Sequence, residues 1–140
     1  MNKRGETQPG IHAGPAESLP GSAFKIIGDP VNKEAAVYTS TARERPVGML
    51  THDPVRETID TVYVAPGFRG KGLAPRMREA AGNPAHSEML TTAGERFARK
   101  TGGAPKKVVR QPPLNEAGHQ QMLPDFAQWI SESPTAKRWQ

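Results

Sequence analysis

The sequence contains no cysteine, and this absence excludes several classes of site. Without thiols the chain has no disulfide framework, no cysteine-ligated zinc and no thiolate nucleophile. The four histidines do not replace them, because His12, His52, His86 and His119 are scattered and lack the spacing of metal ligands. We therefore expect no metal site.

Apolar residues are also scarce. Only 35% of the 140 residues are hydrophobic and 6% are aromatic, while glycine and proline number 14 each. No apolar run is long enough to cross a bilayer. The first residues carry charge without an apolar segment behind it, so neither a membrane partner nor a signal peptide is expected, and the expected location is the cytoplasm. The length predicts one domain with a small core and with part of the chain outside it.

The chain does carry an excess of positive charge. Its formal net charge is +5 and its pI is about 9.8. Such a charge favours anionic partners, among them nucleic acid, an acidic surface or a phosphorylated cofactor. Lys106, Lys107 and Arg110 form a basic stretch, but no aromatic residues are interleaved for base stacking. Nucleic acid is therefore the least favoured of these partners.

Four segments show the pattern of short antiparallel strands. The last segment, residues 57–65, shows the strongest strand pattern, because Val62 and Val64 share one face and Tyr63 lies on the other. In the third segment, residues 45–53, the alternation of apolar and polar residues predicts that Val47 and Met49 share a face. The four segments are residues 23–28, 34–44, 45–53 and 57–65.

Helical patterns follow the strands. Leu73 and Met77 recur at helical spacing and predict a helix that ends near Gly82. Thr92 and Glu95 match a capping box, which predicts a second helix up to the next pair of glycines. A very short strand over residues 85–87 is expected between them.

These patterns predict three parts of the chain. Residues 1–22 are expected to form a flexible arm rich in glycine, proline and serine. Residues 23–103 would form the folded domain, and residues 104–140 a basic, proline-rich linker with a short amphipathic helix. The apolar side chains of that helix could cover a face of the sheet or contact a neighbouring protein; they are Phe126, Trp129 and Ile130.

The turn between the fourth strand and the first helix carries the strongest functional signal. Gly70 and Gly72 lack a Cβ, so their backbone can approach a ligand or adopt positive φ. The helix beyond them aims unpaired N–H groups and the positive end of its dipole at the turn. Arg69 and Lys71 add full charges, so the turn is typical of a phosphate-binding site. Neither a nucleoside-triphosphate P-loop nor a dinucleotide fingerprint fits its spacing.

The sequence Arg69-x-x-Gly72-x-Ala74, after a strand and Pro66, resembles motif A of the GNAT N-acetyltransferase superfamily. The likeness covers about residues 35–102 and is most specific at this motif. It implies a small, truncated α/β fold of the GNAT type, whose fourth strand and next strand splay apart to hold acetyl-CoA. Residues 85–87 would then run parallel to residues 62–64 and diverge from them beyond Val64. It also implies which backbone would contact the pantetheine and the pyrophosphate: Val62, Tyr63, Val64, Arg69, Gly70, Lys71, Gly72, Leu73 and Ala74.

A GNAT-like transfer to an amine needs a base. Some members of the family also use a tyrosine on the helix after the splayed strand as general acid, but this chain has Phe97 there. Glu57 and Asp60 on the fourth strand, and His86 at the end of the short strand, are the candidates. Each also has a simpler interpretation, as a solvated acid at a strand edge or as a histidine that orders a turn.

Two other functions stay open. The chain could be a catalytically reduced protein of the same fold that serves as a structural or interaction subunit of a larger assembly, such as a phage virion. It could also be a basic protein associated with nucleic acid.

Overall fold

The computed structural model describes residues 24–39, 45–112 and 115–133. The predicted arm, residues 1–22, lies outside the described residues, as does the connection between the second and third strands. In the described part the chain is an α/β protein with a four-stranded antiparallel sheet, a two-stranded parallel sheet and three helices. The elements are β1 (Phe24–Asp29), β2 (Glu34–Thr39), β3 (Arg45–Asp53), β4 (Thr58–Val64), α1 (Leu73–Ala80), β5 (Met89–Leu90), α2 (Thr92–Thr101), β6 (Val109–Arg110) and α3 (Glu116–Glu132).

The main sheet is a meander in the order β1-β2-β3-β4, with a helix on each face. One face packs against α1, where Leu73 and Met77 meet the apolar side chains of all four strands. The other face packs against α3, where Leu123, Ala127 and Ile130 are buried. The core therefore consists of two apolar layers, one on each face of the sheet.

Two β-bulges change the faces that simple alternation predicts. Val47 is an extra residue of β3 opposite β2, and Asp60 is an extra residue of β4 opposite β3. The predicted alternation of Val47 and Met49 is therefore wrong, because Val47 packs with the α1 layer and Met49 with the α3 layer. A bulge inserts one residue and restarts the two-residue period beyond it.

The strand predicted over residues 85–87 is wrong, because these residues form only an isolated bridge, at Ala85. Ala85 makes a single parallel bridge to Thr58, at the start of β4, and does not run beside Val62 to Val64. The next strand, β5, pairs in parallel with β6 and forms a separate small sheet. The segment expected to be a linker after residue 103 thus contributes a strand.

The helix ends differ from the sequence pattern in two places. The N-cap of α2 is Thr91, whose hydroxyl accepts the Gly94 N–H at 2.9 Å, whereas the capping-box pattern begins at Thr92. The last helix begins at Glu116 after the N-cap Asn115, and it contains Pro124. Its docking on the sheet compensates for the hydrogen bond that this proline cannot donate.

Candidate functional site

The turn between β4 and α1 is held in place by an aromatic anchor. The N–H of Phe68 donates to Ala65 O at 3.1 Å, and the Phe68 ring packs edge-on against Phe24, with ring centroids 5.9 Å apart. The guanidinium of Arg45 lies over the same ring, 5.9 Å from its centroid. These contacts fix the first half of the turn on the sheet and leave the second half, residues 69–72, at the surface.

The second half of the turn requires glycine. Gly70 and Gly72 have φ of 77° and 76°, a conformation that other residues seldom adopt. Apart from the glycine and its chain neighbours, no atom of the described residues lies within 4 Å of the position that a Cβ would occupy at either residue. The space beside both glycines is therefore open.

No side chain of the described residues caps the N-terminus of α1. Gly72 is its N-cap, and no acidic residue lies in its first turn. The first N–H groups of a helix have no partner within the helix, and the dipole adds partial positive charge there. Leu73 buries its side chain in the core while its backbone begins the helix, and Ala74 is half-buried. This end of α1 is suited to bind an anion through its main chain.

The two cations of the turn have different surroundings. Arg69 Nε–H donates to Val64 O at 2.6 Å, and its Nη2 donates to both carboxylate oxygens of Glu116 at 2.9 and 2.7 Å. Lys71 is exposed and makes no ion pair with any described residue. Lys71 is thus the charge that the turn presents to solvent, whereas the charge of Arg69 is paired.

Tyr63 lies beneath this ion pair. The Arg69 guanidinium is 5.7 Å from its ring centroid, and the His119 ring stacks on it at 5.3 Å. The Tyr63 hydroxyl is buried and comes close to Gln120 and Glu116 without meeting the geometry of a hydrogen bond to either. Burial, ahead of every other influence, raises the pKa of Tyr63. The phenol is therefore neutral and is not a base at this site.

The edge of β4 opens toward the turn. At its start, Ile59 N–H donates to Ala85 O at 2.8 Å. Beyond this point no described strand pairs with that edge. Ala65 N–H donates inward to Val47 O, and since strand residues alternate, Val62 and Val64 direct their backbone groups to the open edge. Backbone donors and acceptors thus lie along the unpaired edge of β4, which we call the slot; it ends at the bridge to Ala85 and extends toward Arg69.

The two candidate acids lie at the closed end of this slot. Asp60 is the bulged residue of β4, and its Oδ2 lies 3.5 Å from the hydroxyls of Thr51 and Thr61. Glu57 is in the turn before β4, with φ of 59°, and its N–H donates to Asp53 O. Both are exposed. Asp60 is the one that lies on the strand bordering the slot.

The third candidate, His86, is enclosed by α2. Its Nε2 lies 2.9 Å from Thr101 Oγ1, and its ring packs edge-on against Phe97 at 5.2 Å. Burial, and after it the charge of Arg78, lowers the pKa of His86. A neutral, buried histidine with a hydroxyl partner is the arrangement of a packed residue that orders the turn after α1.

Two residues of the site could not be predicted from the sequence. Glu116 and His119 lie on the first turn of α3, and Asn115 caps that helix by accepting the Gly118 N–H. Glu116 is 47 residues from its partner Arg69 along the chain. No local pattern connects residues so far apart, and only the docking of α3 on the sheet brings them together.

Comparison of the chain with protein-family models, curated proteins and solved structures finds no match. The assignment of a function therefore depends on the motif and the geometry around it.

In the described ranges, no group of three or more histidine or acidic side chains is arranged to hold a metal ion. None of the helices in those ranges has the length and apolar content to cross a membrane.

Proposed function

We propose that this chain is a GNAT-like N-acetyltransferase that binds acetyl-CoA and transfers its acetyl group to an amine. The observation that carries the proposal is the open edge of β4, which leads from the bridge at Ala85 to the uncapped N-terminus of α1. A slot bordered by backbone groups and ending at an anion-binding turn suits a long ligand with a phosphorylated end.

The pyrophosphate would contact the main chain of residues 69–74, with Lys71 as the exposed cation. The pantetheine arm would pair with the outward N–H and C=O groups of Val62 and Val64, as an added strand does. From Asp60 to Val64 the strand spans about 13 Å, at about 3.3 Å per residue. The thioester would then lie at the closed end of the slot, well away from the phosphates.

Acetyl transfer requires a deprotonated amine and a polarised carbonyl. The amine nitrogen would attack the thioester carbon, the C–S bond would break, and the proton of the amine would pass to a base while the thiolate leaves. Asp60 is the candidate nearest that carbon in this arrangement, because it borders the slot. Glu57 precedes the bridge to Ala85, and His86 is packed against Phe97.

The test is calorimetry of the intact chain with acetyl-CoA. Gly72→Asp places a carboxylate where the pyrophosphate would lie, and like charges a few ångströms apart near a surface repel by a few kcal/mol. We expect affinity to fall at least about tenfold. Gly72→Asn is the neutral control of similar shape, since asparagine also tolerates this region of φ. Gly102→Asp, at the end of α2, adds the same charge at an open glycine with φ of 86°.

Several outcomes would contradict the proposal. A wild-type chain that shows no binding of acetyl-CoA is not an acetyltransferase of this type. Equal loss of affinity in Gly72→Asp and Gly102→Asp would mean that the turn is not the anion site.

The alternative is a non-catalytic subunit of the same fold in a larger assembly. One observation favours it: Trp129 is 52% exposed on α3, beside Phe126, with Met122 exposed on the same helix. Of the two roles left open for Ile130, covering the sheet and contacting a neighbour, the described structure has the first, because Ile130 is buried against the sheet. Stable self-association of a chain that does not bind acetyl-CoA would support this alternative.

A further inference from the structure

Helix α3 places one of the protein's own carboxylates, that of Glu116, beside Arg69 in the candidate anion-binding turn. Glu116 lies in its first turn, and both of its carboxylate oxygens are within 2.9 Å of Arg69 Nη2. The two side chains are 46% and 42% exposed, so the contact is at the surface and can exchange. A surface ion pair of this kind is worth little, and another anion can compete with it.

The same arginine also occupies the edge of β4. Its Nε–H donates to Val64 O, the acceptor at the open end of the slot. A ligand that pairs with Val64, or that places phosphate beside Arg69, must therefore displace one or both of these contacts. The stack of Arg69, Tyr63 and His119 holds the guanidinium in this position.

We propose that Glu116 masks Arg69 and thereby lowers the affinity of this turn for anions until the ligand displaces it. This proposal rests on the proposed function, since it assigns a regulatory contact to the same site. Glu116 is the competitor, Arg69 is the shared partner, and α3 is the element that presents the competitor. Any condition that moves the first turn of α3 away from β4 would raise the affinity of the site.

The experiment is calorimetry with two probes, inorganic pyrophosphate and acetyl-CoA. Glu116→Gln removes the charge and leaves the shape, and it should bind both probes about two- to fivefold more tightly than the wild type, the range that a surface ion pair supports. Glu116→Asp keeps the charge but shortens the side chain, so it should show a smaller gain. Glu132→Gln is the matched control, because it removes a carboxylate from the other end of the same helix.

A double-mutant cycle separates the mask from a general effect of charge. On an Arg69→Gln background, Glu116→Gln should bring no gain, because the partner is gone. A gain that persists there, or an equal gain in Glu132→Gln, would overturn the mask. Equal binding of both probes by the wild type and Glu116→Gln would overturn the mask and leave the proposed function standing. Absence of acetyl-CoA binding in every variant would overturn both.

Discussion

Gly28 is the position where a single methyl group should most disturb the fold. It lies on β1 beneath the C-terminal end of α1. A Cβ built there would be 2.1 Å from Ala80 O, 2.5 Å from Ala80 C and 2.6 Å from Ala80 Cβ. Two of these atoms belong to the helix backbone, so no side-chain rotation relieves the clash, and Gly28→Ala must move α1 by roughly 1 Å to restore ordinary contact distances.

The cost can be estimated from this geometry. Overpacking of a core usually costs about 1–3 kcal/mol, and contact between two main chains belongs at the upper end of that range. We therefore expect Gly28→Ala to lower the free energy of unfolding by about 3 kcal/mol. For a chain of this size that corresponds to a fall in Tm of roughly 10 °C. Thermal and urea denaturation followed by circular dichroism would measure both.

The control is Gly94→Ala, in the first turn of α2. Its nearest neighbours are side-chain atoms of Thr91 and Leu90 at 3.3–3.7 Å. Because alanine favours a helix over glycine by about 1 kcal/mol, this variant should be as stable as the wild type or more so. If Gly28→Ala unfolded within about 2 °C of the wild type, α1 could not lie against β1 as described. The position of its N-terminal turn would then also be in doubt.

Two further predictions concern the end of the sheet near β1. Ser133→Ala removes the hydroxyl that donates to the buried Asp29 Oδ2 at 2.9 Å, and it should lower the free energy of unfolding by about 1 kcal/mol, as measured by urea denaturation. The control is Ser87→Ala, whose hydroxyl accepts the Met89 N–H at the surface. Equal stability of the two variants would contradict the role of Ser133. Burial, with Asp29 nearby, raises the pKa of Glu34 to about 7 from 4.5. Since the folded state holds this proton more tightly than the unfolded state, stability should fall as the pH rises from about 5 to about 7. Glu34→Gln should flatten that profile and raise Tm at pH 8, whereas an unchanged profile would show that Glu34 is not the group responsible.

The candidate site divides into a part that the sequence predicts and a part that it does not. The glycines at 70 and 72 were expected either to let a ligand approach the backbone or to adopt positive φ, and both have positive φ. A helix that carries Leu73 and Met77 was predicted from the apolar period, and α1 confirms it. The pairing of Arg69 with Glu116 was not predicted, because an ion pair across the fold leaves no local pattern.

Local patterns in the sequence predict the four strands of the main sheet, the turn at Gly70 and Gly72, and the helices α1 and α2, since period, capping residues and glycine act within a few residues; they do not predict β5 or β6. β3 over Arg45–Asp53 was predicted to the residue for that reason. The tertiary structure alone decided which face each side chain joins beyond the bulges at Val47 and Asp60, and where the edge of β4 opens. It also decided that α3 buries Leu123 and Ile130 and thereby brings Glu116 to the turn. These features depend on contacts between distant segments, whose free energy comes from apolar surface that is buried only when the whole sheet has assembled.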